Sequence, residues 1–304
     1  MHARSRLVPL TILLLLALLC GALPTIGLAQ PGQTPRVWLP VIRRGAAASE
    51  QLVLDRINTY RALAGAPLLQ LHAALVQAAQ KHAAYYLRNH ADAAAMANGP
   101  HGEVANKPGY TGRTPFDRAQ AANYPWLAGW EVMHFMGDPV GSVDNWTATV
   151  FHRAILLEPA LAHLGYGNGI SGATRVDVAD FGQGTATPER QRLILFPAPA
   201  QTNVPLAGAA EFPSALPPGA TEPFGYPITI QPSFGVPFAV TRALVRDGSG
   251  AAVAVYPNPS GCTTMCYALI PKTPLKPATT YTVEAAGTID GAPFTRTWSF
   301  TTTP

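Results

Sequence analysis

From Arg192 to the C-terminus the chain offers only short β-branched runs separated by Pro and Gly turns, with no helical periodicity between them. The runs lie at 192–196, 226–231, 239–245, 252–256, 266–270, 280–285 and 295–302. Seven strands at this spacing, uninterrupted by helices, are expected to form an antiparallel sandwich. Asp290-Gly291 between the last two runs is a two-residue hairpin turn by composition. Upstream the pattern is helical. Val53, Ile57 and Tyr60 mark a first helix from near Ser49 to the Gly65-Ala66-Pro67 stop. A second is expected from Leu71 to His90, with Leu75, Ala79, Ala83 and Tyr86 on one face. A third is expected to start at Ser142 as N-cap, run through Val143, Trp146 and Val150, and end before Pro159. Residues 91–139 are mostly Gly, Pro and Asn punctuation and read as one long functional loop. The boundary between the two halves falls near residues 186–191.

Residues 1–29 have the parts of a secretory signal: Arg4 and Arg6, an apolar run from Leu10 to Leu19, and Gly27-Leu28-Ala29 before Gln30. The run is shorter than the ~20 residues of a spanning helix, so no membrane span is expected once the signal is removed. Residues 30–48 are Pro- and Ala-rich and read as a linker. Without Arg4 and Arg6 the chain carries 19 basic against 17 acidic residues, and no basic stripe follows any expected helix. Nucleic acid is therefore not an expected partner. Only 12% of the 304 residues are charged and 48% are hydrophobic, which excludes a disordered polyelectrolyte. Signal removal also takes Cys20, leaving Cys262 and Cys266, and in an exported protein a pair this close is expected to close a small disulfide loop. Zinc is not expected there, because no His, Asp or Glu lies between Tyr256 and Lys272.

His101, Glu131 and His152 are the residues with chemical potential, but they are too far apart in sequence for a local motif. The segment Trp146–Gly167, reading WTATVFHRAILLEPALAHLGYG, resembles the bacterial signature of the CAP superfamily: the cysteine-rich secretory, antigen 5 and pathogenesis-related 1 proteins. Tyr110–Ala119, with its Thr-Pro-Phe-Asp-Arg, resembles the segment after the first family His, which maps to His101. Glu131 maps to the Glu of the Gly-Glu-Asn motif, and Asn58, Arg61, Gly65 and Leu68 fit the family's opening helix. The flanking Gly and Asn of that motif are Trp130 and Val132 here, and the Asn after His-Arg-Ala is Ile155. A second acidic residue of many eukaryotic members would fall at Thr149, so the cleft of two His and two Glu is reduced to His101, Glu131 and His152.

The resemblance implies an α+β chain: a CAP-type α/β/α sandwich over residues 49–185, followed over 192–304 by an all-β sandwich that resembles bacterial Ig-like modules, notably at Leu275–Val283 and Trp298–Thr302. It implies a secreted protein, released or held at the cell surface. Three functions stay open. One is a non-enzymatic binding module whose cleft of His101, Glu131, His152 and Thr149 holds a small apolar ligand, lipid or peptide, or a divalent metal, with zinc the natural guess for His101, Glu131 and His152. The second is a structural or adhesive exoprotein in which those residues brace the loop. The third is a hydrolase with His152 as general base and Thr149 one helical turn away. Trp126, Trp130, Phe135 and Met136 flank Glu131 and are candidates for an apolar groove. His72, His82, His90, His134 and His163 read as surface or capping residues.

Overall fold

The computed structural model describes residues 44–125, 127–135, 138–184, 189–262 and 265–304. The expected signal, most of the expected linker, Trp126 and Met136 lie outside them. Arg43–Pro304 form one compact unit.

Helix α1 (Arg44–Ala64) starts ahead of the expected Ser49 and stops at Gly65, whose φ of +71° suits a residue without a side chain. Strand β1 (Gln70–Leu71) leads into α2 (Ala73–Asn89), whose N-cap His72 accepts from the Ala74 amide. Residues 91–139 are more ordered than their composition suggests. They contain α3 (Pro115–Ala121), opened by a capping box between Thr114 and Asp117, and strand β2 (Ala128–His134). The expected third helix is two: α4 (Pro139–Thr147) and α5 (Phe151–Leu156). Its N-cap is Asp138, which accepts from the Gly141 amide, and not Ser142, whose side chain is buried. Strands β3 (Leu161–Ser171) and β4 (Thr174–Gln183) then complete a sheet of order β1-β3-β4-β2.

Helices cover both faces of this sheet. On one side Leu164, Tyr166, Ala179 and Phe181 share a core with Val53 and Ile57 of α1 and with Val143 and Trp146 of α4. On the other, Val176, Val178 and Met133 meet Ala79 and Ala83 of α2. The mixed α/β/α layering expected from the sequence is therefore present. Alternation along β3 puts Gly165 and Gly167 under α2. A Cβ on Gly165 would lie 2.0 Å from the carbonyl carbon of Leu75, and one on Gly167 would lie 2.4 Å from that of Ala79, so α2 rests on bare backbone. Arg61 and Asn58 fix the other side. Buried Arg61 donates to the carbonyl oxygens of Pro67, Leu156, Glu158 and Leu161, and Asn58 exchanges two hydrogen bonds with the Leu69 backbone. Burial draws the Arg61 guanidinium down to about 9.

All seven expected C-terminal runs contain strands: β5 (Ile194–Phe196), β6 (Ile228–Gln231), β7 (Phe238–Arg246), β8 (Val255–Tyr256), β9 (Tyr267–Pro271), β10 (Thr280–Ile289) and β11 (Ala292–Thr301). They form a sheet β11-β10-β7 and a sheet β5-β6-β9-β8, with Ile228, Ile230 and Leu269 of one meeting Val283, Trp298 and Phe300 of the other in one core. Asp290 (φ +49°) and Gly291 (φ +77°) make the tight β10–β11 turn. Cys262 and Cys266 are disulfide-bonded.

Gly167→Val is expected to lower the unfolding free energy in urea by about 3 kcal/mol, the upper end of overpacking costs, because backbone and not a flexible side chain stands in the way. A loss below about 1 kcal/mol would show that α2 can lift from the sheet without consequence.

Candidate functional site

Cross-strand pairing of β2 with β4 sets Glu131 opposite Asp180 on the face toward α2 and α3. The Glu131 side chain is buried, and both of its oxygens are engaged. His101 Nδ1 lies 2.7 Å from Oε1, and Arg118 donates to Oε2 at 2.5 Å. His82 Nε2 lies 3.7 Å from Oε1. Fully buried His82 also contacts Glu103 through Nδ1 and the Pro100 carbonyl through Nε2, each at 3.0 Å, so each ring nitrogen faces an acceptor. Glu103 in turn accepts from the Thr111 and Gly112 amides, which ties the loop after α2 to the cluster.

Burial alone would push the Glu131 carboxyl up, but the charges of His82 and Arg118 and the bond from His101 outweigh it and hold it well below the usual carboxylate range. Its neighbour goes the other way. Asp180 is buried, and its carboxyl meets the Glu131 carboxylate and no N–H or O–H donor among the described residues. Burial first, and then the charge of Glu131, raise it well above the ordinary range. Of the pair, Glu131 gives up its proton the more readily and Asp180 holds its own.

His152 sits apart from this cluster, in the first turn of α5. Its Nδ1 lies 3.1 Å from Oε2 of Glu211 and 3.3 Å from Oγ1 of Thr149. Thr149 is buried and donates to the Trp146 carbonyl, so it stands behind the imidazole and not in the cleft. His101 and His152 nevertheless line one cavity of about 490 Å³, together with Met133, His134, Phe135 and Phe212. His134 rests on buried Ser142, which donates to Asp177, itself bonded by Tyr166. Burial draws His134 below the usual imidazole value, with the charge of Asp177 opposing the shift and that of His152 adding to it. Trp130 lines a different, larger cavity of about 870 Å³ with Ile155, Phe234, Val236 and Phe238. Of the described aromatic residues flanking Glu131, Trp130 and Phe135 therefore line two cavities instead of one groove.

A three-ligand zinc centre needs lone pairs from His101, Glu131 and His152 converging on one point. The arrangement does not fit one. Glu131 cannot serve as the third ligand, because a guanidinium occupies its Oε2 and His101 its Oε1. Among the described residues, no group of three or more His, Cys, Asp or Glu side chains is placed to hold a metal ion. Sequence reading missed His82, Glu103, Arg118, Asp180 and Glu211. Arg118 stood inside the quoted Thr-Pro-Phe-Asp-Arg segment; the others carried no local signal.

Residues 54–180 match the cysteine-rich secretory protein family, CAP. Among solved structures, an extracellular protein containing a SCP domain from Bacillus anthracis str. Ames is 21% identical over 45% of this chain and 41% of that one, with a TM-score of 0.35. The chain thus spans about two fifths of that protein's length. An outer surface protein from Borrelia burgdorferi is 15% identical over 45% of this chain and 92% of its own, with a TM-score of 0.36. No curated protein matches.

Two measurements check this description. Asp180 binds its proton more tightly folded than unfolded, so its contribution to stability drains away as pH rises above the unfolded carboxyl value of about 4. Asp180→Asn keeps the shape of the neutral acid, and is expected to raise the melting temperature more at about pH 8 than at about pH 4. An equal change at both would mean Asp180 is ionised. Zinc titrated calorimetrically near neutral pH is expected to give no binding heat that His101→Ala abolishes. A micromolar site lost in that variant would show that the cleft binds the metal after all, either through the imidazoles without Glu131 or with Arg118 displaced from it.

Proposed function

With residues 54–180 forming a CAP domain, we propose that the protein is an extracellular binding module whose cleft takes a small amphiphile, its carboxyl head between His101 and His152 and its apolar body along Met133, Phe135 and Phe212. The observation that carries this reading is the pairing of two imidazoles, each with a carboxylate at its Nδ1, on one largely apolar cavity. In each ring the opposite edge, Nε2, is turned away from its carboxylate. Binding of a carboxylate head takes up one proton from solvent, so that such a nitrogen becomes Nε2–H and donates to the head, while the apolar walls gain from excluding water.

Export is supported by the three-part N-terminal segment and by the Cys262–Cys266 disulfide, which an oxidising compartment preserves. Among the described residues no helix is long and apolar enough to cross a membrane. A second reading, a purely structural cleft, is favoured by one observation: Glu131 spends both oxygens on Arg118 and His101 and so braces the loop.

Palmitate titrated by calorimetry distinguishes the two. Micromolar binding is expected, weakened about tenfold or more by His101→Ala and by His152→Ala, as for loss of a hydrogen bond to a charged group. If the wild-type protein gives no binding heat, or if both variants lower the melting temperature and leave affinity untouched, the residues are a brace.

A further inference from the structure

Glu211 belongs to the segment between β5 and β6, outside the residues that match the CAP family. Its side chain is only 3% exposed. One carboxylate oxygen accepts from the Val150 amide at 2.8 Å and the Phe151 amide at 3.1 Å; the other accepts from the Phe151 amide at 3.0 Å and the His152 amide at 3.3 Å. The amides at the start of α5 therefore fix the carboxylate before any ring contact is counted. The second oxygen also lies 3.1 Å from His152 Nδ1. The chain around Glu211 is pinned as well: the Ala209 amide donates to the Ala148 carbonyl, and the Gly208 amide to that of Phe224. Ala210, Phe212 and Pro213 line the same cavity as His101 and His152.

A neutral imidazole has one N–H and one lone pair, and which nitrogen carries which is set by the partners. At His152 Nδ1 the partners are a carboxylate and the oxygen of Thr149, whose own proton is directed to the Trp146 carbonyl. A lone pair on Nδ1 would face oxygen lone pairs there. We infer that Glu211, supplied by the C-terminal half, is the positioning residue of the cleft: it holds His152 with the proton on Nδ1 and the acceptor Nε2 toward the cavity, so that the cleft is completed only by both halves of the chain. The inference rests on the cleft reading above for its function but not for its test.

The test is the nitrogen NMR spectrum of the imidazole-labelled full chain, at a pH where the rings are neutral. His152 is expected as the Nδ1–H tautomer in the wild type, and a wild-type ring in the Nε2–H form would overturn the inference without any variant. In Glu211→Ala it is expected to shift toward the Nε2–H form that free histidine prefers, with His101, paired to Glu131, unchanged. Should Glu211→Ala fail to fold, Glu211→Gln keeps an acceptor oxygen for the α5 amides and the ring, and is expected to retain the Nδ1–H form. An unchanged His152 in a folded Glu211→Ala would equally sink the idea. Palmitate affinity is expected to fall about tenfold in Glu211→Ala. A shifted tautomer without wild-type palmitate binding would keep the positioning role and discard the ligand.

Discussion

The structure turns on Arg153. Its guanidinium is wholly buried, lies over the rings of Phe196 at 4.9 Å and Tyr226 at 4.6 Å, and donates to the carbonyls of Thr147 and Pro227. Burial pulls it below the usual guanidinium value, the direction expected of a cation taken out of water, and its partners offset that cost. One of those partners, the Thr147 carbonyl, comes from the α/β half, and three, two rings and a carbonyl, come from the β half. Around it the same stretch is bound repeatedly: the Gln231 side chain donates to the Ala154 carbonyl, Tyr226 to that of Thr147, and Ser233 to the Glu158 carboxylate. A six-residue helix has little stability of its own. α5 holds its place because the C-terminal half wraps it, and His152, one residue before Arg153, inherits that placement.

The two histidines of the cavity are made alike by different means. His101 meets a carboxylate that is neutralised by Arg118, a full cation, within the α/β half. His152 meets one neutralised by the amides of a helix start, which carry only partial positive charge. Both arrangements leave an anion buried and aimed at Nδ1. Neither carboxylate is open to a ligand itself, so what the cavity presents is imidazole, and the acids act through it.

Much of the fold was legible because hydrophobic period reports burial directly. Val53, Ile57, Leu75, Ala79 and Ala83 are buried as their spacing requires, and the Asp290-Gly291 turn sits where its composition places it. Residues 91–139 were not legible. Seven-residue α3 is held by its capping box and by Arg118 reaching Glu131, a contact made across the fold, and β2 is an edge strand covered chiefly by α3 and less by α4 and α5. The break between α4 and α5 was hidden for a similar reason, since Val150 and Phe151 donate their amides to Glu211 and not to one continuous helix. At the site, His101 and His152 were found by resemblance and do share a cavity, whereas Glu131 lies behind His101 and Thr149 behind His152. His82 gave no sign of its role, because a lone histidine on a helix has the same periodicity whether it faces water or a buried acid.

Burial, and then the charge of Glu131, explain why Asp180 holds its proton more tightly than its neighbour does. Glu131 answers the positive charge of His82 and Arg118, whereas Asp180 is favoured as an anion by Arg118 alone of the two. Ionising Asp180 as well would leave a second negative charge at a position 2% exposed, with no donor within reach of either oxygen among the described residues. Removing a second carboxylate from water there costs more than the remaining attraction to Arg118 returns. The proton is therefore held more tightly by the acid without donors, and the acid that has them keeps its charge. That choice fixes the polarity of the cleft: an ionised Glu131 draws the His101 proton to Nδ1, as Glu211 does at His152, and the two rings turn the same edge outward.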